Sequence, residues 1–129
     1  MTQNIPPLSE EVFAQVKKLA AMPAVKAAME QAAREVDRAM EEQIELCEIE
    51  APTFHEETRA KRVAELMRAY GLTDVVTDPI GNVVGRRPGK GNGPVLALGA
   101  HMDTVFPAGT DVKVRREGNI YRAPGIGDN

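Results

Sequence analysis

The chain has 129 residues, 43% of them apolar, which suits one domain with a buried core and leaves no room for a second. Sixteen basic residues stand interspersed with nineteen acidic ones, and the net charge of -3 argues against nucleic acid or an anionic membrane as a partner. The single cysteine, Cys47, excludes an internal disulfide. The opening MTQNIPPLSEE lacks both regions of a secretory signal, and no apolar run approaches the roughly 18 residues of a spanning helix, so a soluble cytoplasmic protein is expected.

Ser9, with Glu10 and Glu11 behind it, reads as an N-cap followed by first-turn acids, and Val12, Val16 and Leu19 recur at helical spacing. Pro23 opens a second, long helix as its first residue, with Val25, Met29, Ala32, Val36, Met40, Ile44 and Cys47 as a stripe spaced three or four apart. The stripe predicts core packing opposite a solvated charged face and carries no chemistry. EIEAPTFHEE breaks that helix at Pro52, and Thr53 is the expected N-cap of the next one, with Glu56 as its capping-box partner. That third helix is predicted from about His55 to Tyr70, its apolar side formed by Val63, Leu66, Met67 and Tyr70, with Gly71 as the left-handed C-terminal cap.

DVVTD and NVVGRR, separated by Pro79, Ile80 and Gly81, read as two strands, and PGKGNGP as a turn. The run VLALGA, Val95 to Ala100, is continuously apolar, the pattern of a strand buried on both faces of a sheet. DVKVRRE then alternates as a strand, and Gly118 and Asn119 turn it into IYRAP. Helices followed by a mixed sheet place the chain in the α/β class, with no repeat and no interdomain linker.

Polar residues just past the carboxyl end of an apolar strand lie where open α/β sheets bind ligands. His101 and Asp103, two apart on extended backbone, point to one side, and Asp128 returns on the glycine-rich loop APGIGDN. An imidazole and carboxylates gathered there can hold a metal, or one can hold it while another orients its partner. The other candidates read as ordinary structure. His55 stands at the solvent-facing start of a helix. GRRPGKG has three residues where a phosphate loop has four, no Ser or Thr after Lys90, and a strand behind it. Gly125 and Gly127 lack the third glycine and the strand-to-helix context of a dinucleotide site. Cys47, inside the helical stripe, reads as a small buried apolar residue. Ser9, the only serine, caps a helix, which removes serine-hydrolase chemistry.

HMDTVFP, then a hairpin, then APGIGDN closely resembles the characteristic segment of the co-catalytic zinc exopeptidase and deacylase family that includes aminoacylase, acetylornithine deacetylase, succinyl-diaminopimelate desuccinylase, glutamate carboxypeptidase and peptidase T. EIEAPTFHEE and DPIGNVVGRRPG are similar to the N-terminal half of that family, so the resemblance covers nearly the whole chain. It implies a zinc-exopeptidase-like three-layer sandwich with a mixed central sheet, of which residues 1–129 are the N-terminal part of the catalytic domain. It also implies that His101 binds one zinc ion, that Asp128 bridges two, and that Asp103 is the catalytic acid two residues beyond the first ligand. Two zinc ions are the implied cofactor in the complete enzyme, with cobalt or manganese as substitutes suited to mixed nitrogen and oxygen donors. The implied activity is hydrolysis of a peptide or amide bond in a small peptide or an N-acyl amino acid. HMDTVFP and GIGDN look closer to the peptidase T and glutamate carboxypeptidase side; an N-acyl amino acid deacylase, and a non-catalytic binding or regulatory remnant of the same fold, are the alternatives.

By that comparison Gly125 and Gly127 shape the loop presenting Asp128, and the bond between Asp128 and Asn129 would be an unusual cis peptide. The comparison also leaves out of these residues the Glu-Glu pair with the general base, the later acidic and histidine ligands, and the lid domain through which such enzymes form homodimers. Turnover by residues 1–129 alone is therefore not expected. Exposed apolar surface around VLALGA is expected, with low solubility, self-association or a partly mobile C-terminal loop.

Overall fold

The computed structural model describes residues 9–91 and 93–128. These fall into two compact units whose boundary lies between Met40 and Glu41. The first unit is helical. Helix α1, Glu10–Ala21, starts where the Ser9 hydroxyl accepts the Val12 amide at 3.3 Å, as the sequence predicts. Met22 is extended and its amide closes on the Leu19 carbonyl; Pro23, which has no amide to leave unpaired, then opens α2, Pro23–Arg34.

The long second helix expected from the stripe is interrupted at Glu35. Its backbone sits at φ -101°, ψ 8°, and its amide is shared between the carbonyls of Gln31 and Ala32. Helix α3 resumes at Val36 and runs to Cys47. The carboxylate of Glu35 accepts from the Gln31 amide group and the Arg38 guanidinium, so side chains on both turns hold the joint. The expected core role of the stripe is also corrected. Met29 is 66% exposed and Val36 59%; among the described residues of this unit α1 and α2 contact each other, and neither buries a single side chain. Of the whole stripe only Cys47, which belongs to the second unit, is buried.

In the second unit α4 spans Glu57–Ala69. It begins two residues later than predicted because Thr53 is engaged elsewhere and caps nothing. Phe54 takes a left-handed conformation at φ 69°, and Glu56 reaches back to accept its amide at 2.7 Å. The far end follows the sequence: Gly71 at φ 75° donates to Arg68, and Leu72 to Met67, the paired bonds that close a helix on a left-handed glycine. The end of α3 is tied to α4 by the Arg62 guanidinium, forked on Glu45 at 2.6 and 2.9 Å, and by the Tyr70 hydroxyl donating to Glu42.

Strands β1, Thr73–Thr77, and β2, Val83–Arg86, pair antiparallel with Val76 opposite Val84 and a register irregularity between Thr73 and Val76, where Asp74 sits at φ 53°. Asp78 builds the connection by accepting the amides of Ile80 and Asn82. Helix α4 packs on both strands. Gly85 lies at that contact, where an added Cβ would stand 2.9 Å from Leu72 Cδ2, 3.2 Å from Met67 Sδ and 3.3 Å from Leu72 Cβ. Gly85→Val is expected to lower stability by about 1–3 kcal/mol through overpacking, read from the denaturant midpoint; an unchanged midpoint would show that Leu72 and Met67 give way freely.

The second hairpin pairs β3, Arg115–Glu117, with β4, Ile120–Arg122, turning at Gly118 with φ 62°. The two strands before and after Pro79, Ile80 and Gly81 and the turn at Gly118 and Asn119 were legible in sequence. The strand expected over DVKVRRE is confined to Arg115–Glu117, because the Lys113 amide turns to Asp111, and Lys113 Nζ and the Val114 amide turn to Glu48. The apolar run between the two hairpins was not legible: Val95 to Ala100 forms no strand, with Val95 96%, Leu96 81% and Leu98 90% exposed. A strand needs a paired neighbour for its amides and a covering layer for its side chains, and the described residues offer this segment neither. The exposed apolar surface expected from the sequence is therefore present. Among the described residues no helix is long and apolar enough to cross a membrane.

Candidate functional site

Residues 49–54, between α3 and α4, serve as a rail for the segment that follows the apolar run. The Thr104 amide donates to the Ala51 carbonyl at 2.8 Å, and Pro52 and Thr104 form a parallel bridge. The Arg59 side chain, 8% exposed, reaches from α4 between the two segments. Its Nε and one terminal nitrogen donate to the Ile49 carbonyl, and the other terminal nitrogen donates to the Met102 carbonyl at 2.7 Å. Desolvation lowers the Arg59 pKa, and the nearby Asp103 charge works against that loss. The Thr53 hydroxyl donates to Asp103 Oδ2 at 2.7 Å.

His101 and Asp103 meet as their spacing predicts. His101 Nδ1 lies 3.0 Å from the Asp103 main-chain oxygen and 3.2 Å from Asp103 Oδ1. Two acceptors facing Nδ1 call for the hydrogen there and leave the lone pair on Nε2. The Thr53 hydroxyl, followed by His101, holds the Asp103 carboxyl below its ordinary value against partial desolvation. Asp103 thus remains an anionic acceptor that orients the imidazole.

The third residue arrives on the loop after β4. Gly125 at φ 82° makes the turn, closed by the Ile126 amide on Ala123 and the Asp128 amide on Gly125. Gly127 has no left-handed backbone, so the conformational role expected of both glycines falls to Gly125 alone. Gln43 of α3 donates its side-chain amide to the Ile126 carbonyl, and the buried Cys47 thiol contacts the Pro124 carbonyl at 3.5 Å. Burial pushes that thiol up, which suits the packing role expected of Cys47 rather than a nucleophile. So held, Asp128 Oδ1 comes to 3.7 Å from His101 Nε2.

With the hydrogen on Nδ1, His101 Nε2 and Asp128 Oδ1, 3.7 Å apart, are both electron-pair donors and form no hydrogen bond with each other. A shared cation, either a proton on Nε2 or a metal ion, relieves that pairing. Two ligand atoms on one tetrahedral zinc ion stand about 3.4 Å apart, so the two donors fit part of such a site. The side chains of His101 and Asp128 are about half exposed. Among the described residues no group of three His, Cys, Asp or Glu side chains is arranged to hold an ion. His55 is exposed at the foot of α4, as expected. The expected cis bond between Asp128 and Asn129 falls outside the described residues.

The remaining stretch, 109–114, is pinned by acids at the end of α3. Glu50 accepts the Gly109 amide at 2.9 Å, and Glu48 accepts Lys113 Nζ at 2.7 Å and the Val114 amide at 3.0 Å, beside buried Val112. The Lys113 and Val114 bonds hold the Glu48 carboxyl below its ordinary value. A depressed folded-state pKa contributes stability above the unfolded value of about 4.3 and loses it as pH falls through the folded value. Glu48→Gln should therefore lower the thermal midpoint at pH 7, with the gap to wild type closing by pH 3; a gap independent of pH would contradict this.

Sequence reasoning missed Thr53, Arg59 and Gln43. Arg59 carried a signal, since it continues the helical spacing of Val63, Met67 and Tyr70 toward the start of α4, where a charged residue on an apolar stripe invites a specific partner. Gln43 carried none.

No protein-family profile matches the chain. It is 40% identical over 84 residues to a Pyrococcus abyssi protein named as a candidate LysW-lysine/LysW-ornithine hydrolase, a match covering 65% of this chain and 23% of that protein. A Pyrococcus furiosus protein of the same name is 41% identical over 69 residues, covering 50% of this chain and 20% of the relative. The matched stretch thus spans between a fifth and a quarter of the length of these curated relatives.

Proposed function

We propose that this chain carries part of the active site of a metal-dependent hydrolase of peptide or amide bonds. The observation that carries the reading is the meeting of His101, Asp103 and Asp128, which brings an oriented imidazole and a carboxylate from 27 positions later within 3.7 Å of each other, both half-exposed. The two archaeal relatives, both named as hydrolases, support it. His101 Nε2 and Asp128 would hold the ion, with zinc favoured by the donor types, and Asp128 would have a second oxygen for a second ion. A zinc ion bound there would supply an acidified water and a polarised carbonyl. Asp103 keeps the His101 hydrogen on Nδ1, and Thr53 fixes the Asp103 carboxylate. In this reading Val95 to Ala100, unpaired among the described residues, would join the central sheet of a three-layer α/β sandwich once further strands flank it. The relatives' names add lysine or ornithine joined to LysW to the dipeptides and N-acyl amino acids as substrates to try.

The test is release of free amine from dipeptides, N-acetyl amino acids and N-acyl lysine or ornithine by the longest product of the natural reading frame, before and after chelation. Residues 1–129 serve as the comparison. Metal-dependent turnover that falls sharply in Asp103→Asn is the expected result. Turnover indifferent to chelation, or no hydrolysis of any amide in the zinc-loaded protein, would contradict it; zinc binding without hydrolysis would favour the non-catalytic remnant.

A further inference from the structure

We propose that Arg59 is a positioning residue, whose buried fork sets the 101–104 segment against the 49–52 rail and so fixes the Nδ1-H form of His101. The inference deepens the metal-site reading and rests on it for its consequence, though not for its geometry. The Met102 carbonyl belongs to the peptide bond that joins Met102 to Asp103, and Arg59 donates to it at 2.7 Å while also holding the Ile49 carbonyl. Ile49 precedes Ala51 by two residues, and Ala51 accepts the Thr104 amide. The rail is thus tied to residues 101–104 by the Arg59 fork on Met102, beside the Thr53 hydroxyl on Asp103 and the Thr104 amide on Ala51. The side chain is more than nine-tenths buried, so water is poorly placed to replace it. A lysine ammonium is a point donor that cannot span the two carbonyls as the planar fork does. Without the fork the Met102 carbonyl loses its buried donor, and the 101–104 segment is held to the rail only through Thr53 and Thr104. The Asp103 main-chain oxygen then shifts from Nδ1, and the His101 hydrogen is no longer confined there and populates Nε2, where it blocks the lone pair.

The experiment compares the 129-residue chain with Arg59→Lys and Arg59→Met, using Arg62→Lys, a hydrogen-bonded arginine on the same helix that points to Glu45, as control. Long-range proton-nitrogen spectra of the His101 ring at a pH where it is neutral should show the Nδ1-H form in wild type and control. A shift toward Nε2-H is expected in both Arg59 variants at unchanged helical circular dichroism. Zinc affinity should fall about tenfold or more in the Arg59 variants and hold in the control. Folded Arg59 variants with the wild-type tautomer would overturn the proposal. Should wild type bind no zinc, the functional reading fails while the tautomer still decides the role of Arg59. Should both variants unfold, the wild-type Arg59 guanidinium decides: a resolved, slowly exchanging Nε-H signal supports the fork, and an averaged, fast-exchanging one overturns it.

Discussion

Replacing His101 by alanine is expected to weaken zinc binding by more than about a hundredfold, beyond the ten- to hundredfold loss that follows removal of an outer hydrogen-bonding partner, while the fold is kept. The side chain is about half exposed, so little core packing is lost. The pattern that distinguishes a ligand from a structural histidine is the pairing of large loss of affinity with little loss of stability. Calorimetric titration and thermal melts on the same sample read both. A variant that binds zinc as wild type does would remove His101 from the site; one that melts far lower would make it a structural residue.

Gly125→Val is expected to be the most damaging change outside the three polar residues. A β-branched residue at φ 82° costs about 1–3 kcal/mol in backbone strain, and its Cβ would meet Thr104 Cγ2 at 3.4 Å and the Phe106 ring at 3.7 Å. If the loop relaxes by leaving the left-handed region, the Gly125 carbonyl no longer receives the Asp128 amide, and Asp128 moves away from His101. Zinc affinity should then fall about tenfold or more, comparable to losing an outer partner. Gly127→Ala is the matched control, because Gly127 has no left-handed backbone and open space where a Cβ would stand. Equal losses in the two variants would show that the turn at Gly125 does not place Asp128.

Features set by local chemistry were legible in the sequence. Ser9, Pro23 and Gly71 cap or open helices through their own backbone and side-chain properties, and the chain turns between the strands at Gly81 and at Gly118 with Asn119 where expected, though Asp78, read as the end of a strand, builds the first turn. His101 and Asp103 meet, as two residues flanking a shared neighbour can, with His101 Nδ1 on both the main-chain and side-chain oxygens of Asp103. Asp128 was named through resemblance, and its approach depends on anchors from α3 that no local pattern announces. Thr53 shows the limit of motif reading. Its hydroxyl could serve a helix start or a carboxylate 50 residues away, and the carboxylate won. The run VLALGA shows another, since an apolar pattern states what a segment would bury and cannot supply the layer that buries it. The same holds for Met29 and Val36, whose stripe is regular and uncovered.

The central claim is that His101 and Asp128 together hold a metal ion, and zinc K-edge absorption of the zinc-loaded chain tests it most directly. The account predicts light-atom ligands at about 2.0–2.2 Å with the outer-shell scattering of an imidazole ring, all lost in a His101→Ala, Asp128→Ala double variant. An imidazole signal that survives in the double variant, a sulfur ligand at about 2.3 Å from Cys47, or a shell of water oxygens alone would contradict it.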